Sequence, residues 1–280
     1  MLFGAHVSIA GGVFNAPANA AELGCEIFQC FTRSPQGGPA PKLTKTIVKQ
    51  FKDELKANAQ ARFYVHAPYY LNLANPSKQI RSNTARIVRE DLERASLLGA
   101  TALMFHIGSA KDVEQKQAER WVVEGLDKIM DGYKGSTQLL IENSAGAGMV
   151  MGDEFEEIAR FIKKAKHGKK IGVCLDTQHS FASGYDLRTK KSVNSVLKQF
   201  DTVVGLDKLV LIHANDSKTD LASHKDRHEH IGHGKIGKIG FDTLIKHPKL
   251  KNIDFILETP HHDEVGVAKD LKLLKKLRNK

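Results

Sequence analysis

The sequence predicts a single α/β domain, a closed (β/α)₈ TIM barrel that covers residues 1–280. Eight short apolar runs alternate with longer amphipathic stretches, as expected when each strand is followed by a helix. The chain has 280 residues, an ordinary length for one such barrel. An open, doubly wound sheet is the alternative, but no glycine-rich fingerprint follows the first apolar run.

The eight strand candidates are rich in Val, Ile, Leu and Phe and show little polar alternation, which is typical of parallel strands covered on both faces. They are Leu2–Val7, Glu26–Phe31, Arg62–Val65, Ala102–Phe105, Gln138–Ile141, Ile171–Leu175, Leu209–Ile212 and Phe255–Leu257. Apolar residues at helical spacing between them predict the helices Asn83–Leu98, Gln115–Met130, Asp153–Ala165, Val193–Phe200, Phe241–Ile245 and Glu264–Leu277. The longest connection, Asn215–Ile239, is rich in His, Lys and Asp.

Charge and cysteine content limit the class of protein. The net charge of +10 fits a polyanionic partner, although lysine-rich solvated helix faces would give the same value. Cys25, Cys30 and Cys174 lie in apolar runs and are expected to be buried, reduced thiols. No apolar run is long enough to span a bilayer, and the start lacks the pattern of a signal peptide. We therefore expect a cytoplasmic protein with no membrane partner.

Six consecutive strand candidates, the third to the eighth, each end in His, Asp or Glu. Since the carboxyl ends of barrel strands meet at one face, these side chains should converge. Any one of them alone is more often an interior residue or a helix cap. Several carboxylates packed together would repel or take up protons unless a cation neutralised them. The thiolate-free set suits zinc or a similar ion: His66, His106, Glu142, Asp176, His213 and Glu258.

The long connection adds a second signal. Asp226 and His228 are two residues apart, so an extended segment points both to the same side. Together with His179, which follows Asp176 by three residues, they make a set sufficient for one further ion. The nearby His224, His230 and His233 are expected to be solvated loop residues.

The motifs also carry a family resemblance. GAHVSIAGG, YVHAPYYLNLA, FHIGS, IENSAGAG, GVCLDTQHSFASGYD, HANDS, DRHEHIG and ILETP follow one another between Phe3 and about Pro260. Each motif is weak alone, but the ordered series closely resembles the endonuclease IV family of apurinic/apyrimidinic endonucleases. The resemblance implies a TIM barrel that holds three zinc ions and hydrolyses the phosphodiester 5′ to an abasic site in duplex DNA. Cleavage would leave a 3′-hydroxyl and a 5′-deoxyribose phosphate.

The resemblance also implies a role for each ligand position. One zinc would be held by His66, His106 and Glu142, and a second by Glu142, Asp176, His213 and Glu258. The third would be held by His179, Asp226 and His228. The central catalytic carboxylates would be Glu142, which both inner ions share, and Glu258.

DNA contacts are less fully matched. Tyr69 corresponds to a family tyrosine that inserts into the base stack, as wedge side chains do. Gln36 and Gly38 stand where many relatives have Arg and Trp. We expect Gln36 still to contact the DNA and Arg33 to replace the missing Arg there. The remaining departures are Ile107 in place of Pro, Gln178 in place of Cys and His233 in place of Glu. None of them removes a ligand.

Two other functions fit parts of the pattern. A metal-dependent sugar isomerase of related barrel fold also uses carboxylates and His at strand ends, but it has no need of the Asp226–His228 pair. A non-catalytic DNA-binding barrel that has lost its metals is the other, and the intact ligand set argues against it. Metal content separates the three functions. The expected partner is double-stranded DNA containing abasic sites, for which a monomer suffices.

Overall fold

A computed structural model describes residues 1–260 and 265–279, and within these the chain forms a closed barrel of eight parallel strands. The strands are β1 (Phe3–His6), β2 (Ile27–Cys30), β3 (Phe63–His66), β4 (Ala102–Phe105), β5 (Gln138–Glu142), β6 (Gly172–Asp176), β7 (Leu209–His213), β8 (Asp216–Ser217), β9 (His228–Glu229) and β10 (Asp254–Leu257). Around the barrel the order is β1-β10-β7-β6-β5-β4-β3-β2, while β8 and β9 form a separate antiparallel pair. The predicted fold class is confirmed.

Helices follow the strands around the outside of the barrel. They are α1 (Ala16–Glu22), α2 (Lys45–Ala57), α3 (Lys78–Leu98), α4 (Gln115–Met130), α5 (Phe155–Lys164), α6 (Thr177–Ala182), α7 (Lys190–Val203), α8 (Gly237–Lys246) and α9 (Val267–Arg278). Among the described residues, no helix combines the length and the apolar character needed to cross a membrane.

The strand predictions are right in position and differ at the ends. Several strands run one residue further, because the ligand candidate itself still pairs with its neighbour. His66 is in register with Met104, Glu142 with Cys174, and Asp176 with His213. These candidate ligands therefore belong to the rigid barrel rather than to the loops that follow it.

Helix starts differ more, because side-chain caps fix them. The helix predicted from Asn83 begins at Lys78, since the Ser77 side chain accepts a hydrogen bond from the Ile80 amide. It ends at Leu98 as predicted, with Gly99 in the left-handed conformation. Glu264, the predicted start of the last helix, lies outside the described residues.

The barrel interior is closed by a layer of fully buried side chains. They are Ile27, Tyr64, Ala102, Met104, Leu140, Cys174, Leu211 and Ile256. A second, larger core fills the space between strands and helices. The three cysteines are buried and free, which confirms that prediction. Because the interior is packed, polar side chains from the strands lie at the two ends of the barrel.

Candidate metal centre

The nine predicted ligands meet at the carboxyl end of the barrel. Six lie at or directly after the ends of β3 to β7 and β10, and a seventh, His179, lies on α6. Asp226 comes from the connection between β8 and β9, and His228 is the first residue of β9. Three of them, Glu142, Asp176 and His213, are completely buried. Eight of the nine, all except Asp226, have ligand atoms in groups whose members lie within 4.8 Å of one another.

Glu142 occupies the centre of this arrangement. Its Oε2 atom lies 2.9 Å from His66 Nε2 and 3.6 Å from His106 Nε2. Its Oε1 atom lies 2.8 Å from His213 Nδ1. One carboxylate therefore faces two groups of ligands at once. That it is shared by two ions stays a prediction.

The second group extends from Glu142 towards β10. His213 Nδ1 lies 3.2 Å from Glu258 Oε2 and 4.0 Å from Asp176 Oδ2. Three carboxylates thus approach a single imidazole nitrogen. Such a concentration of negative charge in a buried site has to be balanced by positive charge.

The third group lies nearer the surface. His179 Nε2 and His228 Nε2 are 3.4 Å apart, and the two oxygens of Asp226 lie 3.3 Å and 3.4 Å from them. Asp176 approaches the same group, with its Oδ2 atom 3.8 Å from His228 Nε2. The residues predicted from spacing alone are thus brought together, and Asp176 stands between this group and the second one.

Four of the histidines share one orientation. Each places one ring nitrogen against a neutral oxygen and leaves the other nitrogen facing the cluster. The contacts are His66 Nδ1 to the Ala67 carbonyl at 2.6 Å, His179 Nδ1 to the Asn143 carbonyl at 3.0 Å, His228 Nδ1 to the Glu258 carbonyl at 3.1 Å and His213 Nε2 to Gln29 Oε1 at 2.7 Å. Each of those nitrogens donates its hydrogen, so in the neutral ring the inward nitrogen presents a lone pair.

Inward lone pairs facing carboxylates repel unless a cation lies between them. The 3.4 Å approach of His179 Nε2 to His228 Nε2 is unfavourable for two neutral rings for the same reason. Imidazoles held by an outer hydrogen bond and aimed at carboxylates are the usual arrangement around divalent transition metals. The donor set present therefore fits metal ions, and it contains three groups that could each hold one.

Electrostatics point the same way. Burial disfavours the charged form of Glu142, but His213 and neighbouring histidines hold its pKa well below the usual range. Burial likewise opposes a charge on His179, yet Asp176 and Asp226 raise its pKa to about 10. Against burial, the hydrogen bond with His179 lowers the pKa of Asp226 to about 2. The carboxylates stay ionised, and the positive charge that balances them is either a proton on these histidines or a bound cation that replaces it.

Two further residues at this end were missed by the sequence analysis. Gln29, on β2, is completely buried and its Nε2 atom lies 2.6 Å from Glu258 Oε1. Because a carboxylate only accepts, the amide oxygen must face His213. His6, at the end of β1, lies 3.0 Å from Gln29 Nε2 and 3.7 Å from Glu258. A lone polar residue within an apolar run was the signal available for Gln29.

Asparagines that follow the ligands fix the carboxylates from behind. Asn215 Nδ2 donates to Asp176 Oδ2 at 2.6 Å, while its Oδ1 accepts from the Glu258 amide at 2.8 Å. Asn143 Oδ1 accepts from the Asp176 amide at 2.7 Å. The IEN and HAN segments thus contribute a ligand and its support together.

The connection from β9 to α8 is held by two buried carboxylates. Asp216 accepts hydrogen bonds from the backbone of residues 232–237, including the Gly232 and Ile236 amides at 2.9 Å. His230 was expected to be solvated, and that expectation is wrong. It is 1% exposed, with Nδ1 2.6 Å from Asp270 Oδ2, because α9 brings a carboxylate to it from 40 residues away. His224 and His233 are exposed, as expected.

The residues predicted to contact DNA have different environments. Tyr69 is 57% exposed, and its ring packs edge-on against Phe31 at 5.5 Å. Gln36 is also exposed. Arg33 is only 2% exposed and forms ion pairs with two carboxylates of α3, so the expectation that it reaches DNA is corrected. Its positive charge is paired with Glu90 and Asp91 and is not available to a DNA phosphate.

A cleft of about 620 Å³ opens above the third group. Its walls include Tyr69, Tyr70 and Asn72 on one side and Ala145, Val150 and Met151 on the other. The floor contains His106, His179, Asp226, His228 and Glu258. The centre is therefore open to solvent on one side, where a substrate could reach it.

Two departures from the expected family pattern have clear environments. Ile107 is completely buried, and its carbonyl accepts from the Leu73 amide at 2.9 Å. Gln178 is also completely buried, and its Nε2 donates to the Lys225 carbonyl at 2.9 Å. The second contact holds the backbone immediately before Asp226.

Comparison with known proteins gives matches over the whole chain. The family model described as a xylose isomerase-like TIM barrel matches residues 17–277. The crystal structure of a D-tagatose 3-epimerase-like protein aligns with a TM-score of 0.74 over 100% of this chain and 96% of that one. At 19% identity this is a likeness of fold alone.

Proteins named endonuclease 4 or endonuclease IV are more similar to this chain. The probable endonuclease 4 of Halothermothrix orenii is 38% identical over 278 residues, 99% of each chain. That of Nitrosopumilus maritimus is 39% identical over 266 residues, 94% of this chain and 95% of its own. The crystal structure of endonuclease IV from Thermus thermophilus aligns with a TM-score of 0.86 at 34% identity, covering 100% of this chain and 98% of that one. The chain belongs to the endonuclease IV family, within the xylose isomerase-like TIM barrels.

Proposed function

We propose that the protein is a zinc-dependent DNA repair endonuclease of base excision repair. It hydrolyses the phosphodiester bond 5′ to an abasic site in duplex DNA, leaving a 3′-hydroxyl and a 5′-deoxyribose phosphate. The observation that carries the proposal is the orientation of four of the five ligand histidines, which are held outside by a neutral oxygen and face the carboxylates of the cluster. Relatives that match nearly the full length are named endonuclease 4, which supports the choice of reaction.

Three zinc ions per chain are proposed, one for each ligand group. The first is assigned to His66, His106 and Glu142, the second to Glu142, Asp176, His213 and Glu258, and the third to His179, Asp226 and His228. Imidazole and carboxylate ligands without thiolates are typical of catalytic zinc. Asp176 lies close enough to the third group to contribute there as well.

Bound ions would activate water and stabilise charge, while side chains of the protein position the ligand groups. Bound metal ions lower the pKa of a water molecule and stabilise charge on the phosphate and on the leaving oxygen. Glu142 fixes the relation between the two inner groups, because its two oxygens face His66 and His213 at 2.9 Å and 2.8 Å. Glu258 is held by Gln29 through one oxygen and faces His213 with the other. These two carboxylates are the proposed catalytic pair.

Double-stranded DNA with abasic sites is the proposed partner, bound by a monomeric, cytoplasmic enzyme. The exposed Tyr69 and Gln36 lie at or near the cleft that leads to the ions and are the proposed DNA contacts. The net charge of +10 suits a partner that carries phosphates. Arg33 is not part of this proposal because it is buried.

A sugar isomerase of related fold is the rival function. Its support is the similarity of fold to an epimerase-like protein at 19% identity. The third group argues against it, because Asp226 and His228 come from a separate connection and add ligands beyond those at the strand ends. An isomerase that uses one or two ions has no use for them.

The test is cleavage of one end-labelled duplex that holds a single abasic site. The zinc-loaded enzyme should cut it immediately 5′ to the site and leave an end that a polymerase extends, whereas an intact duplex should remain uncut. A duplex with an oxidised base measures the breadth of lesion recognition. Failure of the zinc-loaded enzyme to cut the abasic duplex would overturn the proposal, and isomerisation of a ketohexose would favour the rival.

A further inference from the structure

The connection between β2 and α2, residues 31–44, lies behind two tyrosines that line the cleft. Phe31 packs against His66 at 6.0 Å between ring centroids and against Tyr69 at 5.5 Å. At the other side of the loop, a Cβ built on Gly37 would lie 3.9 Å from the ring of Tyr70. Both tyrosines line the cleft above the candidate metal centre. The loop therefore supports the tyrosine side of the cleft from behind.

The loop has little structure of its own. Within residues 31–44, all of which the structure describes, no helix or strand is formed. Its outer part contains Pro35 and Pro39 around Gly37 and Gly38, whose φ angles are 110° and 90°. The backbone in this part makes a turn, in which the Gly37 amide donates to the Ser34 carbonyl at 3.3 Å. Something outside the loop has to fix it.

Arg94, on α3, joins the two ends of the loop. Its Nη2 donates to the Thr32 carbonyl at 2.5 Å and its Nε to the Thr32 hydroxyl at 3.2 Å. Its Nη1 donates to the Pro41 carbonyl at 2.7 Å. The planar guanidinium thus holds two backbone positions nine residues apart, which a lysine ammonium could not do with the same geometry.

A second pair of contacts fixes the start of the loop. Arg33 Nε donates to Asp91 Oδ1 at 2.7 Å, and the Thr32 hydroxyl donates to the same oxygen at 3.1 Å. Arg33 Nη2 lies 2.9 Å from Glu90 Oε2. Arg33 and Asp91 are 2% and 1% exposed, so these contacts are shielded from water and from salt.

Apolar packing beneath the loop is incomplete. A cavity of about 160 Å³ lies there, bounded by Ile9, Val13, Phe14, Leu43 and the side chain of Arg94. Atoms that border a cavity lose the dispersion contacts that would otherwise hold them. Apolar packing therefore contributes less to holding the loop in place than it would above a filled core, and the polar contacts to α3 contribute more.

We propose that Arg33, Asp91 and Arg94 form a loop anchor, a set of positioning residues that holds residues 31–44 in the conformation that receives duplex DNA. The inference rests on the proposed function for its ligand. Loss of Arg94 frees the Pro41 end of the loop and leaves the start held only through Asp91 and Glu90. The binding-competent conformation then becomes a minor state, and apparent affinity falls in proportion to its remaining population. Arg33, Asp91 and Arg94 themselves touch no ligand, so we expect the chemistry at the metal centre to change little.

The variants are Arg94→Met, which keeps length and removes the donors, and the milder Arg94→Lys and Thr32→Val. Lys128→Met removes one positive charge from the exposed last turn of α4 and is the matched control. Arg94→Met should raise KM for the abasic duplex about tenfold and change kcat less than about twofold. Hydrolysis of bis(p-nitrophenyl) phosphate, which is too small to need the loop, should stay at the wild-type rate.

Trypsin provides a readout that does not depend on nuclease activity. Lys42 is exposed within the loop, whereas Arg33 is buried. Release of the loop should increase the rate of cutting after Lys42 about tenfold in Arg94→Met and less in the two milder variants. If Arg94→Met does not fold, those milder variants carry the test.

Unchanged cutting at Lys42 overturns the loop anchor whatever the nuclease does. A parallel fall in the rates with DNA and with bis(p-nitrophenyl) phosphate also overturns it, because damage has then reached the metal centre. If the wild-type enzyme cuts no abasic duplex while Lys42 is still released in the variants, the proposed function has failed and the anchor of the loop has not.

Discussion

The two ends of the barrel each contain buried carboxylates, but they balance them in different ways. At the amino end, Asp254 is 1% exposed and accepts from Arg62 Nε at 2.5 Å, the Tyr64 hydroxyl at 2.8 Å and the Leu2 amide at 2.9 Å. The protein itself supplies a cation and two neutral donors for that one charge. Such a group is complete and structural.

At the carboxyl end, four carboxylates meet five histidines, none of which carries a fixed charge. Glu142 is as deeply buried as Asp254, yet the inward atoms of His66 and His213 are lone-pair nitrogens in their neutral rings. The contrast teaches that burial of a carboxylate does not by itself indicate function. What indicates function is a lack of permanently charged Arg or Lys side chains around the buried carboxylate.

The largest effect is expected at the centre of the carboxyl end. Glu142→Gln keeps shape and removes the charge that two ligand groups share, so both inner ions should be weakened. We expect kcat/KM on the abasic duplex to fall by at least about a thousandfold, corresponding to the several kcal/mol that paired metals contribute. Steady-state cleavage kinetics measure this, and near-normal cleavage would remove Glu142 from the mechanism.

The third group should depend on Asp226. Asp226→Asn withdraws the carboxylate that faces both His179 and His228, while leaving the inner groups intact. We expect bound zinc to fall from about three to about two ions per chain, with activity reduced on the order of a hundredfold. Metal analysis beside cleavage kinetics checks both values. Retention of all three ions would show that Asp176 suffices there.

A smaller effect is expected at Gln29, which touches two ligands and no substrate. Gln29→Leu leaves His213 Nε2 and one oxygen of Glu258 without their partner. Loss of such a supporting hydrogen bond typically lowers metal affinity or activity by about 10- to 100-fold. Competition with a chromogenic zinc chelator measures the affinity. An unchanged affinity in Gln29→Leu would show that the support is dispensable.

The smallest effect on activity is expected at the amino end. Asp254→Asn makes the same chemical change as Glu142→Gln, but it should leave kcat and metal content unchanged and cost about 2 kcal/mol of stability. Thermal unfolding at pH 7 measures the cost. A loss of bound zinc in this variant would break the division between the two ends.

The pH dependence of that cost follows from Asp254 itself. Burial would raise its pKa, but Arg62, the Leu2 amide and Tyr64 together lower it. A carboxyl whose folded pKa is lowered contributes stability above its unfolded pKa, about 3.9, and loses it as pH falls through the folded value. The difference in Tm between wild type and Asp254→Asn should therefore be constant from pH 7 to about pH 5 and shrink below about pH 4. A constant gap at pH 3 would contradict this.

The fold and most of the site could be predicted because the barrel converts sequence order into position. Residues that end successive apolar runs must meet at one face, and all six of those predictions converge in the structure. Asp226 and His228 needed only the alternation of an extended segment. None of this required knowledge of contacts between distant parts of the chain.

The wrong expectations share the opposite property. Arg33 and His230 were assigned to solvent or DNA from their loop context, but each meets a carboxylate from a helix far along the chain, Asp91 and Asp270 respectively. Gln29 was missed because its partners, His213 and Glu258, are 184 and 229 residues away. Local patterns predict direction along a strand, and they do not reveal which distant charge a side chain will meet.

The most direct test of the metal centre is the number of metal ions bound at saturation. Wild-type protein is stripped with a chelator, dialysed against dilute Zn²⁺ and analysed by mass spectrometry of the elements, with protein concentration measured on the same sample. Three ions per chain are predicted, held by the carboxyl end of the barrel. One or two ions would point to the isomerase-like use of this fold, and none would contradict the central claim that its buried carboxylates are balanced by metal.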